Sequence, residues 1–456
     1  MLEHLTYLNE DVTKAAGISE YPKIGEFKNQ SIYNILSSFD STAIANLEAQ
    51  GDKTLSAEVS GYEWAQIIKY LQNNTRLNKL VLTETMETPK GVPLALCFTD
   101  GTPDTREAII AFKGTTGGDE WSDNVEGAIL RDTPDQIEAL EFVQGLPYAD
   151  ITLTGHSKGG NKANYITILC DKVTRCVGFD PQGFSQLFLN DPKYSKRIEE
   201  RASLIKNYSL STDFVHILLY ELPGAKQIFC KGFGVDSTGQ HHSPNSFFYT
   251  DYYGNLVLDG IFEFPMFVES VESESVALLR GYVRYLLETG SEKEVKEMVD
   301  YISGIMYRKD KGSSEMIDFA FSDYDRLSTI VGGLLSYVDK NDISDRDIEN
   351  LVITLFGSDV VGKIVSLAVN QGIDDDDSDP IFTNLAWFLA DKLLSLKDID
   401  LSDIINRSDF NRLWGLINVK FKDFNNRNDM EPPKIIQILN DVEMYLSLIH
   451  ISEPTR

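Results

Sequence analysis

The sequence predicts an α/β fold: a mainly parallel sheet with flanking helices, followed by an all-helical C-terminal region. Two patterns carry this. Between residues 81 and 264 short apolar runs alternate with helical stretches, the mark of strands joined by crossover helices. From 265 to 445 strand signals fade and apolar residues recur at helical spacing, as in Val276-Ala277-Leu278-Leu279 and Tyr282-Val283. The composition supports a folded chain: 456 residues, 42% hydrophobic and 11% aromatic, enough for two or three domains. With 42 Lys+Arg against 70 Asp+Glu the net charge is −28. That balance excludes nucleic acid as the main partner and disfavours charge-driven docking on anionic membranes.

Residues 1–80 read as a mostly helical segment packing on the sheet domain, with Glu63-Trp64-Ala65-Gln66-Ile67-Ile68 as its clearest helix. Strands are predicted over 93–98 and 108–112 from their apolar runs. A helix follows over 133–145, with Thr133 as N-cap and Pro134 at the first helical position. The run 150–154 reads as a short buried strand, 161–172 as a helix, and 173–179 and 225–231 as further strands. The acidic stretch 265–445 shows no clear internal repeat. The last segment, 446–456, looks like the in-frame translation of a sequencing-library adapter, so His450 is set aside. On that reading the natural C-terminus is missing beyond about Tyr445.

The chemistry concentrates in Thr154-Gly155-His156-Ser157-Lys158-Gly159-Gly160-Asn161. A bare Gly-x-Ser-x-Gly arises by chance about 0.2 times in a chain of this length. Here it follows a predicted strand and opens a predicted helix, which is the setting of a nucleophile elbow. A serine hydroxyl needs a base, and the base an orienting acid. His241 and His242 lie in a polar loop past the last strand-like run, where a base belongs, and His242 is preferred. His216, within Phe214-Val215-His216-Ile217, reads as a packed or half-exposed histidine. Asp213 stands between nucleophile and histidine loop and is the first choice of acid, with Asp180 second. Oxyanion donors are expected from the backbone of Lys158 and from the loop Lys113-Gly114-Thr115-Thr116-Gly117.

Phe112-Lys113-Gly114-Thr115, then Trp121 with Asp123-Asn124, then Gly155-His156-Ser157-Lys158-Gly159-Gly160, resembles the class 3 (fungal-type) lipases. The Ser-Lys-Gly-Gly-Asn version, with Phe179-Asp180-Pro181-Gln182-Gly183-Phe184 and a His-x-Pro loop, resembles more closely still the bacterial Mbeg-like α/β-hydrolase family. The resemblance spans about residues 80–260. It implies an α/β-hydrolase core with Ser157 as nucleophile, Thr115 and Lys158 as the oxyanion hole, and the base carried by His242-Ser243-Pro244. Two departures stand out: Lys113 replaces the usual Arg and lacks its planar fork, and the acid position varies in the Mbeg-like branch.

The expected activity is therefore esterase- or lipase-like hydrolysis of a small-molecule or lipid ester, without cofactor or metal. The run 339–350 fails the calcium-loop pattern, and the acidic run 374–379 reads as a solvated turn. The competing expectation is a hydrolase-fold binding protein with weak or no turnover. Acyl transfer, with an alcohol replacing water, is a third. The helical region is a candidate lid or partner surface, since it begins close to the histidine loop. The start of the chain carries no signal-peptide pattern, and no window offers the roughly 20 apolar residues of a spanning helix. Cys97, Cys170, Cys176 and Cys230 lie in apolar runs without C-x-x-C pairing, so packed thiols in the cytoplasm are expected.

Overall fold

The structure is a computed structural model. It describes residues 1–301 apart from 58, 115–126, 128–129, 234–238, 252–254, 259–266, 292, 298 and 300, together with 326, 333, 337, 340, 341 and 343. The chain divides into two units, Met1–Arg326 and Leu327–Arg456, and every element named below belongs to the first. The region expected to be all-helical thus lies mostly outside the described residues, as does 446–456.

Eight strands form one sheet. They are β1 (Val81–Glu87), β2 (Pro93–Thr99), β3 (Glu107–Phe112), β4 (Asp150–His156), β5 (Val173–Phe179), β6 (Ile205–Leu210), β7 (Lys226–Cys230) and β8 (Glu269–Ser270). They lie side by side in sequence order. Strands β3 to β7 are mutually parallel, while β1, β2 and β8 add antiparallel edges. The α/β architecture with a mainly parallel sheet is as the sequence predicts.

Alternation along the strands sends side chains to two cores. Ala95, Cys97, Ile110 and Phe112 point into one, with Leu153 and Cys176. There they meet α2 (Pro134–Gly145), α3 (Lys158–Leu169) and α4 (Pro192–Arg201). Leu96, Phe98 and Ala111 point the other way, onto residues of the N-terminal segment and α1 (Gly61–Asn73). Helix α1 buries Trp64, Ala65, Ile67, Ile68 and Leu71 on one stripe and starts from a capping box of Ser60 and Glu63. Helix α2 starts where expected, with Thr133 accepting from the Gln136 amide and Pro134 at N1.

Several elements depart from the sequence reading or add to it. Helix α3 begins at Lys158, three residues ahead of the predicted 161, because it starts directly at the elbow. Strands β1 and β6 were not predicted; Lys206, Asn207 and Ser209 interrupt any apolar run in β6. Strand β8 and helix α5 (Glu274–Thr289) lie within the region expected to be all-helical, yet β8 pairs with β7 and closes one edge of the sheet.

Candidate active site

The strand β4 runs into α3 through Ser157, whose backbone sits at φ 57° and ψ −127°. A serine gains nothing locally from that conformation, which costs about 1–3 kcal/mol and persists only when its surroundings enforce it. The glycines around it make the tight turn fit. A Cβ on Gly155 would lie 2.4 Å from the backbone of Gly159, and one on Gly159 only 2.3 Å from the Phe112 carbonyl oxygen. Helix and strands meet backbone to backbone, so the Ser157 side chain is turned out of the core and is half-exposed. Lys158 is the first residue of α3, and its amide belongs to the helix turn that does not bond within the helix.

Gly114, at the end of the loop's described part, lies directly against this turn. A Cβ there would be 2.8 Å from the His156 carbonyl oxygen and 3.1 Å from Ser157 Cβ. Its N–H donates to the Tyr7 hydroxyl at 2.8 Å, so the N-terminal segment braces the loop. Thr115, Trp121, Asp123 and Asn124 fall outside the described residues.

The candidate acid and base, Asp213 and His242, lie after β6 and β7 respectively. Asp213 is completely buried, and its Oδ1 lies 2.7 Å from His242 Nδ1. Its Oδ2 lies 2.8 Å from His216 Nδ1 and also accepts the His216 N–H at 2.8 Å. The Val215 N–H reaches both oxygens at 3.1 Å. Burial opposes charge on Asp213, but the two histidines outweigh it and hold the carboxyl well below the usual carboxylate range. An ionised carboxylate only accepts, so Nδ1 of His242 is the donor in this pair. His242 is buried, and its Nε2 has no hydrogen-bond partner among the described residues.

The His242 ring packs on His156, the residue before Ser157, with centroids 4.5 Å apart and planes tilted by 33°. This contact brings the histidine loop to the elbow. Ser157 Oγ itself makes no hydrogen bond to any described residue, His242 included. His241 turns away from Asp213 and pairs through Nδ1 with Thr212 Oγ1 at 2.8 Å. Asp180 does not contact a histidine by hydrogen bond: its Oδ1 accepts the Leu210 N–H at 2.8 Å, and its Oδ2 has no partner among the described residues. Burial, with the Asp213 charge beside it, pushes Asp180 well above the usual carboxylate range.

His216 is packed, one of the two placements its sequence reading allows. Both of its ring nitrogens are engaged, which that reading did not include: Nε2 meets Glu272 Oε1 at 3.1 Å and Nδ1 meets Asp213. The N-terminal segment contributes residues that the sequence did not mark. Glu3 Oε1 lies 3.9 Å from His156 Nδ1, and His4 Nε2 lies 2.8 Å from Asn245 Oδ1. Burial raises Glu3 to about 8 and lowers His4 to about 3. The one available signal for His216 was its i, i+3 spacing from Asp213. For Glu3, His4 and Glu272 there was none, since their partners are more than fifty residues away.

Two buried trios, His156–Asp180–His242 and Asp180–Asp213–His216, bring one donor atom per residue within 4.8 Å of the others. In the second, Asp213 and His216 spend their facing atoms on each other. In the first, the two imidazole rings lie against each other with their planes tilted by 33°.

Cys97, Cys170, Cys176 and Cys230 are free and buried. Among the described residues no helix is long and apolar enough to cross a membrane. No curated protein matches the chain. The family model described as Mbeg1-like matches residues 74–221, about a third of the chain, a stretch that includes Ser157, Lys158, Asp180 and Asp213 and ends before His242.

Proposed function

We propose that the chain is a serine hydrolase of esterase or lipase type that cleaves an acyl ester through Ser157, His242 and Asp213. The observation that carries this reading is the state of His242. Its Nδ1 is tied to a buried ionised carboxylate, its basic Nε2 is unspent among the described residues, and its ring lies on the residue next to a strained serine. The motif resemblance to class 3 lipases supports the same assignment and is the ground for preferring a lipid or other acyl ester.

In this mechanism Ser157 Oγ attacks the ester carbonyl carbon while His242 Nε2 takes the hydroxyl proton. The carbonyl electron pair moves to oxygen, where the backbone N–H groups of Lys158 and Thr115 receive the negative charge. Asp213 holds the ring and balances the imidazolium. As the tetrahedral intermediate collapses, His242 returns the proton to the leaving alcohol and an acyl-Ser157 remains. Water then repeats the sequence and releases the acid. The buried free thiols suit a reducing compartment, and we assign the cytoplasm on that ground.

One observation favours the second reading, a binding protein on a hydrolase scaffold: Ser157 Oγ is not bonded to His242. Such bonds often tighten only when substrate is present, so hydrolysis remains the better reading. Turnover of aryl esters with short and long acyl chains separates the two. Activity that disappears in Ser157→Ala supports hydrolysis, and the preferred chain length then names the substrate class. A folded wild type with no turnover, or turnover that survives Ser157→Ala, moves the assignment to the binding protein.

A further inference from the structure

The candidate acid serves two histidines, and one of them, His242, packs against the residue before Ser157. His216 Nδ1 meets Asp213 Oδ2 at 2.8 Å and its Nε2 meets Glu272 Oε1 at 3.1 Å. Both partners are carboxylates. Asp213 is an acceptor to the backbone N–H groups of Val215 and His216, which donate to its two oxygens. The other oxygen of Glu272 takes Arg280 Nη2 at 2.5 Å, which holds that carboxylate as an acceptor too. A ring with an acceptor-only group at each nitrogen must donate from both, which only an imidazolium does. Arg280 continues the chain to Glu221 at 3.1 Å.

We infer that His216 is a positioning residue of the proposed active site, an imidazolium at neutral pH: it clamps Asp213 from behind and, through Glu272 and Arg280, ties it to helix α5. The inference rests on the hydrolase reading for its catalytic consequence, but not for the charge of His216. Among the described residues the charged or titratable groups around it are few. Asp213 comes from the loop after β6 and is shared with His242, Asp180 comes from the end of β5, and Glu272 from the turn before α5. The Arg280 cation and Glu221 stand behind Glu272, and β7 presents the uncharged Phe229 ring. Burial opposes the proton, but the hydrogen bonds and charges of Asp213 and Glu272 prevail and push His216 up to about 9.

The device has a functional meaning. A carboxylate bound to one histidine pulls that ring toward protonation, and a protonated His242 cannot accept the serine proton. A fixed cation on the other oxygen offsets part of that pull. It also locks the carboxylate plane, so Oδ1 stays aimed at His242.

Two measurements on the full chain test this. The first is the pH dependence of Ser157 labelling by a fluorophosphonate in wild type and His216→Gln, where glutamine keeps an N–H donor but no charge. With the cation gone a proton settles on His242 more readily, so the acid limb should move up by roughly one pH unit. A lower rate with the limb in place would mean that His216 is merely structural, and would overturn the inference. The second is the ring titration of His216 followed by NMR in wild type and Glu272→Gln. The expected midpoint is about 9 in wild type and at least one unit lower in the variant. A His216 that is neutral at pH 7 in wild type, or a midpoint unchanged by Glu272→Gln, would refute it. If wild type does not label at all, the hydrolase reading fails while the titration still decides the charge of His216.

Discussion

Replacing Asp213 by Asn is the most informative single change. The side chain keeps its shape but loses its charge and turns one acceptor into an N–H₂ donor. Each carboxylate oxygen faces an imidazole N–H, Oδ1 that of His242 and Oδ2 that of His216, so the new donor must oppose one of them. The group is fully buried and water cannot relieve the clash. Removing one partner of such a buried pair costs about 3–5 kcal/mol, chiefly because the remaining charge is left uncompensated. Here that charge is His216. Asp213→Asn combined with His216→Gln should therefore be more stable than Asp213→Asn alone, recovering about 1–3 kcal/mol. Urea unfolding at pH 7 of wild type, both single variants and the double variant gives the coupling energy. In the same variants labelling of Ser157 should fall about 10⁴-fold with Asp213→Asn, the order expected when the base is held in the wrong tautomer. Losses of stability that simply add would refute the argument that Asp213 and His216 form one charged unit.

Gly159→Ala places a methyl group 2.3 Å from the Phe112 carbonyl oxygen, and it should cost at least about 1–3 kcal/mol in urea unfolding and weaken labelling with it. Unaltered stability would mean that helix α3 does not press on β3 as described. Tyr7→Phe removes the acceptor of the Gly114 N–H, so stability should fall by about 1–2 kcal/mol and labelling by about tenfold; a labelling rate within twofold of wild type would show that the brace does not matter to the loop. Burial lifts Glu3 to about 8 from an unfolded value near 4.5, so the folded state binds its proton more tightly. That proton's contribution is complete below about 4.5 and is lost as pH rises toward about 8. Glu3→Gln, neutral throughout, should flatten the fall in urea midpoint between pH 5 and 8, and an identical slope in both proteins would contradict the buried placement of Glu3.

What the sequence made legible is what is local. The N-cap of α2, the apolar run of β4 and the glycine-flanked serine each depend on residues within a few positions, and each was readable. Strand β6 was not, because its buried Asn207 is satisfied by Asn164 of α3, a partner that no local pattern announces. Strand β8 is two exposed residues whose identity as a strand comes wholly from pairing with β7. The same division runs through the site. Ser157, Asp213 and His242 were singled out by order and by their loops. The second histidine on Asp213 was passed over because its neighbours Phe214, Val215 and Ile217 suggest ordinary core. Its meaning depends on Glu272, fifty-six residues later, and the brace on Gly114 depends on Tyr7, over a hundred residues earlier. Polar networks closed by tertiary contact leave little trace in one sequence.

The central claim is that Ser157 is an activated nucleophile served by His242. Intact-mass analysis of the full chain after treatment with a fluorophosphonate, followed by peptide mapping, tests it most directly. A single adduct on Ser157 is expected in wild type, and none in Ser157→Ala or His242→Ala. Folded wild type that stays unmodified, or an adduct that survives His242→Ala at an undiminished rate, would contradict it.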